Sequence, residues 1–250
     1  ENEKNIYDYR YVSRFIFSKA YSGYLLAIPT LSALTPSDVE IRIMDENIEP
    51  LDFDAPTDLV GISVRTMFAK RAYEIASKFR EKGVKVALGG IHTSMLPEEA
   101  AQYADSIVVG EAESVWHELI QDFKDNRLKK IYKSGFHPDL SEYQMPDRGR
   151  LKNNKYLLHI VQTTKGCPFF CEFCSVHAFD GTKIRHRSLE QVIADIKETQ
   201  KDGIRERKKA IFFADDNIVA DRKYAKMFFK ELILIEVSWS CQASLNVARD

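Results

Sequence analysis

Cysteine is scarce in this chain and absent from most of it: of four in 250 residues, none lies in residues 1–166. That argues against the disulfide framework of a small secreted domain. Charge of one sign is also missing. Lys and Arg number 36 against 37 Asp and Glu, for a net charge of −1, so nothing indicates a polyanionic partner such as a nucleic acid. No run of about 18 apolar residues occurs, hence no membrane span is expected, and no signal-peptide pattern is seen. Hydrophobic content of 44% with 29% charged residues is that of a soluble globular protein. The length allows one large or two ordinary domains.

What cysteine there is lies close together. Cys167, Cys171 and Cys174 fall within residues 166–174, three residues separating the first pair and two the second. Thiolates so spaced read as ligands for a soft metal or an iron–sulfur cluster. Three thiolates on a four-iron cluster leave one iron open to a substrate or cofactor, which favours catalysis over simple electron transfer. The competing reading is zinc with His177 as fourth ligand. Closed zinc sites usually present two ligand pairs across a longer loop, and the second pair is missing. Cys241 stands apart and reads as a buried apolar residue.

Cys167-x-x-x-Cys171-x-x-Cys174, with Phe173 before the last cysteine, resembles the signature of radical S-adenosylmethionine (SAM) enzymes. The context agrees: residues 157–162 read as a strand entering the loop, and Ser188 with Gln191 forms a capping box that opens a helix. The resemblance implies a [4Fe-4S] cluster on the three cysteines, after the first strand of a (β/α) barrel. SAM would chelate the open iron through its amino and carboxylate groups, with Phe173 among its contacts. Residues 210–214 read as the second barrel strand and end in Asp215, Asp216 and Asn217. The family carries a Gly-Gly-Glu-like motif there, contacting the SAM amino group. This chain departs from it but still offers a carboxylate to an ammonium. The alternative, a cap for the next helix, suits Asp221 better. Residues 238–246 read as the third strand, with Gln242, Ser244 and Asn246 on one face toward the barrel mouth; Gln242 and Ser244 join the SAM candidates. Arg185 or Arg187 would either reach this region or lie on the surface.

The first half alternates strand and helix. Residues 1–20 are polar and aromatic, and Tyr7, Tyr9, Tyr11, Phe15 and Phe17 are expected to pack on a domain surface. Residues 23–34 read as a helix with Pro29 in its first turn or at a kink. Strands are expected at 39–44 from alternation, at 59–64 as a buried apolar run, and at 84–88 and 106–109. Helices are expected at 68–79 from the three- and four-residue apolar steps, at 97–103, and at 112–123. The fold class is therefore α/β, a doubly wound, Rossmann-type parallel sheet followed by the first part of a (β/α) barrel. Ligands of such sheets bind at the carboxyl ends of the strands. That selects Asp45, Ser63, Thr66, Gly89, Gly90, His92, Gly110 and Glu111. Ordinary turn chemistry is the competing explanation for the glycines.

Residues 89–99 and 110–113 resemble the cobalamin-binding domain that precedes many radical SAM barrels. The likeness divides the chain into a cobalamin-binding-like domain at 1–125, a polar linker at 126–155 with a short strand at 131–132, and the barrel portion at 156–250. It also implies a first strand before Glu1, and a barrel of which residues 156–250 form about half. The Asp-x-His-x-x-Gly string whose histidine ligates cobalt is absent, and His92 stands elsewhere. The resemblance implies cluster-driven homolysis of SAM to a 5′-deoxyadenosyl radical and cobalamin-dependent methyl transfer to an unactivated carbon. Ring formation or rearrangement is the alternative, and a zinc-stabilised binding module the rival of another class. A methylthiotransferase would need cysteines in residues 1–166. The partners implied are a small-molecule substrate and an electron donor such as flavodoxin or ferredoxin, and reduced thiols point to the cytoplasm.

Overall fold

The computed structural model describes residues 23–135, 137–140, 144–202 and 210–249; the aromatic segment with Tyr7, Tyr9, Tyr11, Phe15 and Phe17 lies outside them. The first α-helix among the described residues, α1 (Ala27–Leu34), carries Pro29 in its first turn, where a missing N–H costs nothing. Four parallel strands follow, β1 (Leu59–Ser63), β2 (Lys85–Gly89), β3 (Ser106–Val109) and β4 (Ile131–Lys133), hydrogen-bonded in the order β1-β2-β3-β4. Between them run α2 (Ala69–Glu81), α3 (Ile91–Met95), α4 (Pro97–Tyr103) and α5 (Trp116–Lys124).

Strand alternation explains how both faces of this sheet are buried. Val86, Leu88 and Ile107 pack with Ala72, Ala76 and Phe79 of α2. Ala87, Val108 and Tyr132 point the other way and meet Leu119 and Ile120 of α5. Each such Val, Leu or Ile side chain contributes about 2 kcal/mol when buried. Helices on both faces are the layering expected from the alternating pattern.

One sequence reading needs correction here. Residues 39–44 form no strand. Ile41 and Ile43 are half-buried and Glu40 and Arg42 exposed, so the alternation records a two-faced environment without a ladder. The short strand expected at 131–132 forms, and it joins the first sheet: Ile107, Val108 and Val109 pair with Ile131, Tyr132 and Lys133. The first sheet thus extends beyond residue 125.

The second sheet is β5 (Leu158–Val161), β8 (Ala210–Phe213) and β9 (Trp239–Cys241), parallel and in the order β5-β8-β9. After β5 comes an antiparallel pair, β6 (Thr164–Lys165) with β7 (Arg185–His186), enclosing the cysteine loop and the short helix α6 (Val176–Phe179). Helix α7 (Leu189–Thr199) starts on the expected capping box: Gln191 N–H donates to Ser188 Oγ at 3.1 Å, and Ser188 N–H to Gln191 Oε1 at 3.2 Å. Helix α8 (Arg222–Ile233) is capped by Asp221, which accepts from the N–H groups of Lys223 and Tyr224. The third strand is shorter than the 238–246 expected. Past Cys241 the Gln242 carbonyl accepts from Ile218 N–H at 3.1 Å, and Ser244 N–H donates to Asn217 Oδ1 at 3.1 Å. Those bonds draw the chain off the ladder and onto the end of β8.

Beneath this sheet Asp195 is fully buried between two arginines. Arg148 donates to Asp195 and to the Ile160 carbonyl, and Arg187 Nη1 donates to Asp195 Oδ2 at 2.8 Å. A buried carboxylate is tolerated only when opposite charge and hydrogen bonds surround it. Arg187 therefore belongs to the interior, not to the surface.

Candidate functional site

The carboxyl ends of the two sheets meet. β3 runs into Gly110 and Glu111, and Glu111 is 3% exposed. Lys165 of β6 donates through Nζ to Glu111 Oε2 at 3.1 Å and to Glu113 Oε1 at 2.7 Å. Arg185 of β7 donates to both Glu111 oxygens, at 3.1 and 2.5 Å. His137 Nδ1 lies 2.8 Å from Glu111 Oε1. Burial pushes the Glu111 carboxyl up, but Arg185, Lys165 and His137 outweigh it and hold the group below the ordinary glutamate range. Helix α3, which follows Gly90, lies against α6, which follows Cys174. The glycine corners of the first sheet thus border the cysteine loop of the second.

The loop leaves β6 through Gly166 at φ +89°. An added Cβ there would stand 2.5 Å from the Lys183 carbonyl oxygen and 3.2 Å from those of Asp180 and Gly181, so only glycine fits. Cys167 N–H donates to the Gly181 carbonyl at 3.1 Å, and Cys174 N–H to that of Cys171 at 2.9 Å. All three thiols are free; Cys167 and Cys174 are half-buried and Cys171 is exposed. Phe173 is 94% exposed. Among the described residues no three His, Cys, Asp or Glu side chains converge as a single ion requires. A four-iron cluster spreads its thiolates over separate irons, and three free thiols on one open loop fit that donor set. His177 packs on the Phe170 ring, with centroids 5.4 Å apart.

The candidates for SAM divide by environment. Asp215 is buried and accepts from the N–H and hydroxyl groups of both Thr163 and Thr164, which makes it a structural anchor. Asp216 differs. Among the described residues its Oδ2 is buried without a hydrogen-bond partner. Burial first, then the neighbouring Asp180 and Asp215 carboxylates, pushes its pKa up to about 6. A partnerless carboxylate oxygen beside the cysteine hairpin suits a ligand ammonium. Asn217 and Ser244 are joined at the same strand end, whereas the Gln242 side chain is exposed.

The cobalamin candidates are likewise unequal. Thr66 is exposed next to Met67 and Phe68, and Met95 and Leu96 are exposed after β2, an apolar rim that suits a large flat macrocycle. Gly90, at φ +96°, is close-packed: an added Cβ would meet Val64 N and O at 2.9 Å, with Ser63 Oγ at 3.1 Å. Its glycine serves the turn. Ser94 bridges the two corners, donating to the Gly90 carbonyl and accepting from Gly110 N–H at 2.9 Å. The Gly89 carbonyl accepts from Val64 N–H. Asp45 is tied by Tyr156 OH at 2.8 Å and by Asn47. His92 is 3% exposed with Nε2 2.9 Å from Tyr73 OH. The sequence reading missed Thr163, Thr164, Lys165 and His137, whose roles arise from pairings across 26 to 54 residues with no local pattern.

No family model matches the chain. It is 33% identical over 237 residues to the bacteriochlorophyllide d C-8(2)-methyltransferase of Chlorobaculum tepidum, covering 90% of this chain and 52% of that protein. It is 27% identical over 231 residues to the hopanoid C-2 methylase of Rhodopseudomonas palustris, covering 88% and 43%. The chain spans about half the length of the curated relatives it matches. In structure it superposes on the radical SAM methyltransferase TsrM from Kitasatospora setae, solved with cobalamin and a [4Fe-4S] cluster bound, with a TM-score of 0.67 at 20% identity, over 84% of this chain and 49% of that one. The likeness to these proteins extends over most of the chain, in sequence to the two methyltransferases and in fold to the solved structure.

Proposed function

We propose, from the premise that this chain has the fold of a radical SAM protein with a cobalamin-binding-type domain before its barrel, that it is the corresponding part of a cobalamin-dependent radical SAM methyltransferase acting on an unactivated carbon of a small molecule. One observation carries the reading: three free thiols sit on a single loop, and the hairpin bearing that loop lies near a strand end whose Asp216 Oδ2 is buried and, among the described residues, unpartnered. Methyltransferase relatives over nine-tenths of the chain support it.

Cys167, Cys171 and Cys174 would hold a [4Fe-4S] cluster, and Asp216 would accept the SAM ammonium. Ser63, Thr66 and the neighbouring Met67, Phe68, Met95 and Leu96 would face cobalamin. When bound, the cluster supplies the electron that cleaves SAM, and cobalamin carries the methyl group. The chain itself would orient these groups. Asp215 fixes the end of β5 against β8, and Gly166 sets the direction of the loop. An electron donor of the flavodoxin or ferredoxin type in the cytoplasm fits this chemistry. Among the described residues no helix is long and apolar enough to cross a membrane.

Anaerobic reconstitution of the full-length protein with iron, sulfide, SAM and cobalamin tests the reading. A broad brown absorption with 5′-deoxyadenosine or methylated product is expected. A colourless protein holding zinc would overturn it.

A further inference from the structure

Glu111 follows the third strand of the first sheet, yet apart from His137 its carboxylate is held by residues of the second half of the chain. Its carboxylate takes Lys165, 54 residues away, and both arms of Arg185, 74 residues away. Lys165 is the last residue before Gly166 and the cysteine loop; Arg185 is the first residue of the returning strand. The two cations thus bracket the loop on β6 and β7, and one carboxylate from the other domain holds both. The grip continues inward. Arg185 Nη2 also donates to the Asp180 carbonyl at 3.1 Å, and Nη1 to the Pro138 carbonyl at 3.0 Å. The Asp180, Gly181 and Lys183 carbonyls form the wall on which Gly166 rests, and Gly181 receives Cys167 N–H. An unbroken series of bonds runs from Glu111 through Arg185 to the backbone that seats Cys167.

We propose that Glu111 is a positioning residue for the cysteine loop, a carboxylate of the cobalamin-binding-type domain that holds the three thiols in place by gripping Lys165 and Arg185. Bidentate contact with a guanidinium fixes direction as well as distance, which one surface ion pair does not do. Glu111 follows Gly110, at the strand end where the first domain would meet its ligand. A displacement there is transmitted to the loop through side chains already in contact. The consequence for a cluster rests on the function proposed above, but the grip on the thiols does not.

The test uses the full-length protein without cluster and follows alkylation of each thiol by iodoacetamide, with mass-spectrometric readout. Cys167 and Cys174 report the seating of the loop, exposed Cys171 its upper rate, and Cys241 the integrity of the fold. In Glu111→Gln, Cys167 and Cys174 are expected to react at least fivefold faster while Cys241 keeps its rate. Glu113→Gln, whose carboxylate pairs with Lys165, should change them less than twofold. Where Glu111→Gln fails to fold, all four thiols rise together and Arg185→Lys decides, since it keeps the charge and loses the two-armed contact. Faster Cys167 and Cys174 in Arg185→Lys with Cys241 unchanged supports the proposal; wild-type rates at Cys167 and Cys174 in a folded variant overturn it. No cluster or SAM is needed, so failure of this result and failure of the proposed activity are separate outcomes.

Discussion

Thr163 donates its hydroxyl to the Asp215 carboxylate at 2.7 Å and its backbone N–H to the same group at 3.2 Å. Thr163 follows β5 and Asp215 follows β8, so one side chain locks the ends of two neighbouring strands just before the cysteine loop begins. Thr164 adds a second pair of donors. A carboxylate with this many donors is one that the fold depends on.

Replacing Asp215 by Ala leaves the buried N–H groups of Thr163 and Thr164 without an acceptor. At about 1–3 kcal/mol for each stranded donor, the loss of stability is expected to be about 3 kcal/mol. Urea unfolding checks this: the midpoint should fall with little change of slope. A wild-type midpoint in Asp215→Ala would remove the anchor role.

The four-strand parallel sheet was legible because its strands are short apolar runs between glycines and helical periods, a local signal. The same holds for the Ser188 capping box and the three-cysteine loop. Residues 39–44 carry the alternation of a strand without its partner, because alternation reports which side is wet and not whether a ladder forms. The buried Arg148–Asp195–Arg187 group spans 47 residues on one side, and charged residues give no local sign that they are buried together. Glu111 was selected as a strand-end candidate, but its grip on Lys165 and Arg185 follows only from how the two sheets are set against each other.

Loss of any one of Cys167, Cys171 or Cys174 by substitution with Ala should abolish cluster binding, with iron falling at least tenfold after anaerobic reconstitution. Cys241 sits on β9 beside the apolar cluster of the second sheet, so Cys241→Ala should retain most of the iron. Equal loss in the Cys241 variant would remove the assignment of the ligand set to the loop.

Asp216 makes stability depend on pH in a stated direction. Its carboxyl titrates at about 6 in the folded chain against an ordinary 3.8. Between those values the folded form holds a proton that the unfolded form has shed. Stability is therefore complete below about pH 4 for this group and falls as the pH rises through 6. Asp216→Asn removes that fall. In the protein without ligands, the variant should gain about 1 kcal/mol over the wild type between pH 4 and 7, allowing for partial solvent screening. Urea midpoints at both pH values measure it. If Asp216 accepts the SAM ammonium, the same variant should bind SAM about tenfold more weakly. A gain in stability with unchanged SAM affinity would separate the two roles and leave the ammonium elsewhere.

His92 is expected to leave cobalt alone. The string that places a cobalt-ligating histidine is absent from the sequence. The structure adds a physical reason. His92 is buried in the helical layer with Nε2 2.9 Å from Tyr73 OH, and Tyr73 OH donates onward to Glu99 at 3.1 Å while its ring stacks on Tyr103. To reach a macrocycle at the strand ends, the imidazole would have to abandon this packing and open a cavity between α2 and α4. His92→Ala should therefore cost about 2 kcal/mol of stability from the lost hydrogen bond and the space left behind. It should leave the electron paramagnetic resonance spectrum of a bound Co(II) cobalamin unchanged. Nitrogen superhyperfine splitting seen in the wild type and lost in His92→Ala would show that the histidine swings out to the metal, and would overturn the reading of His92 as part of the helix packing.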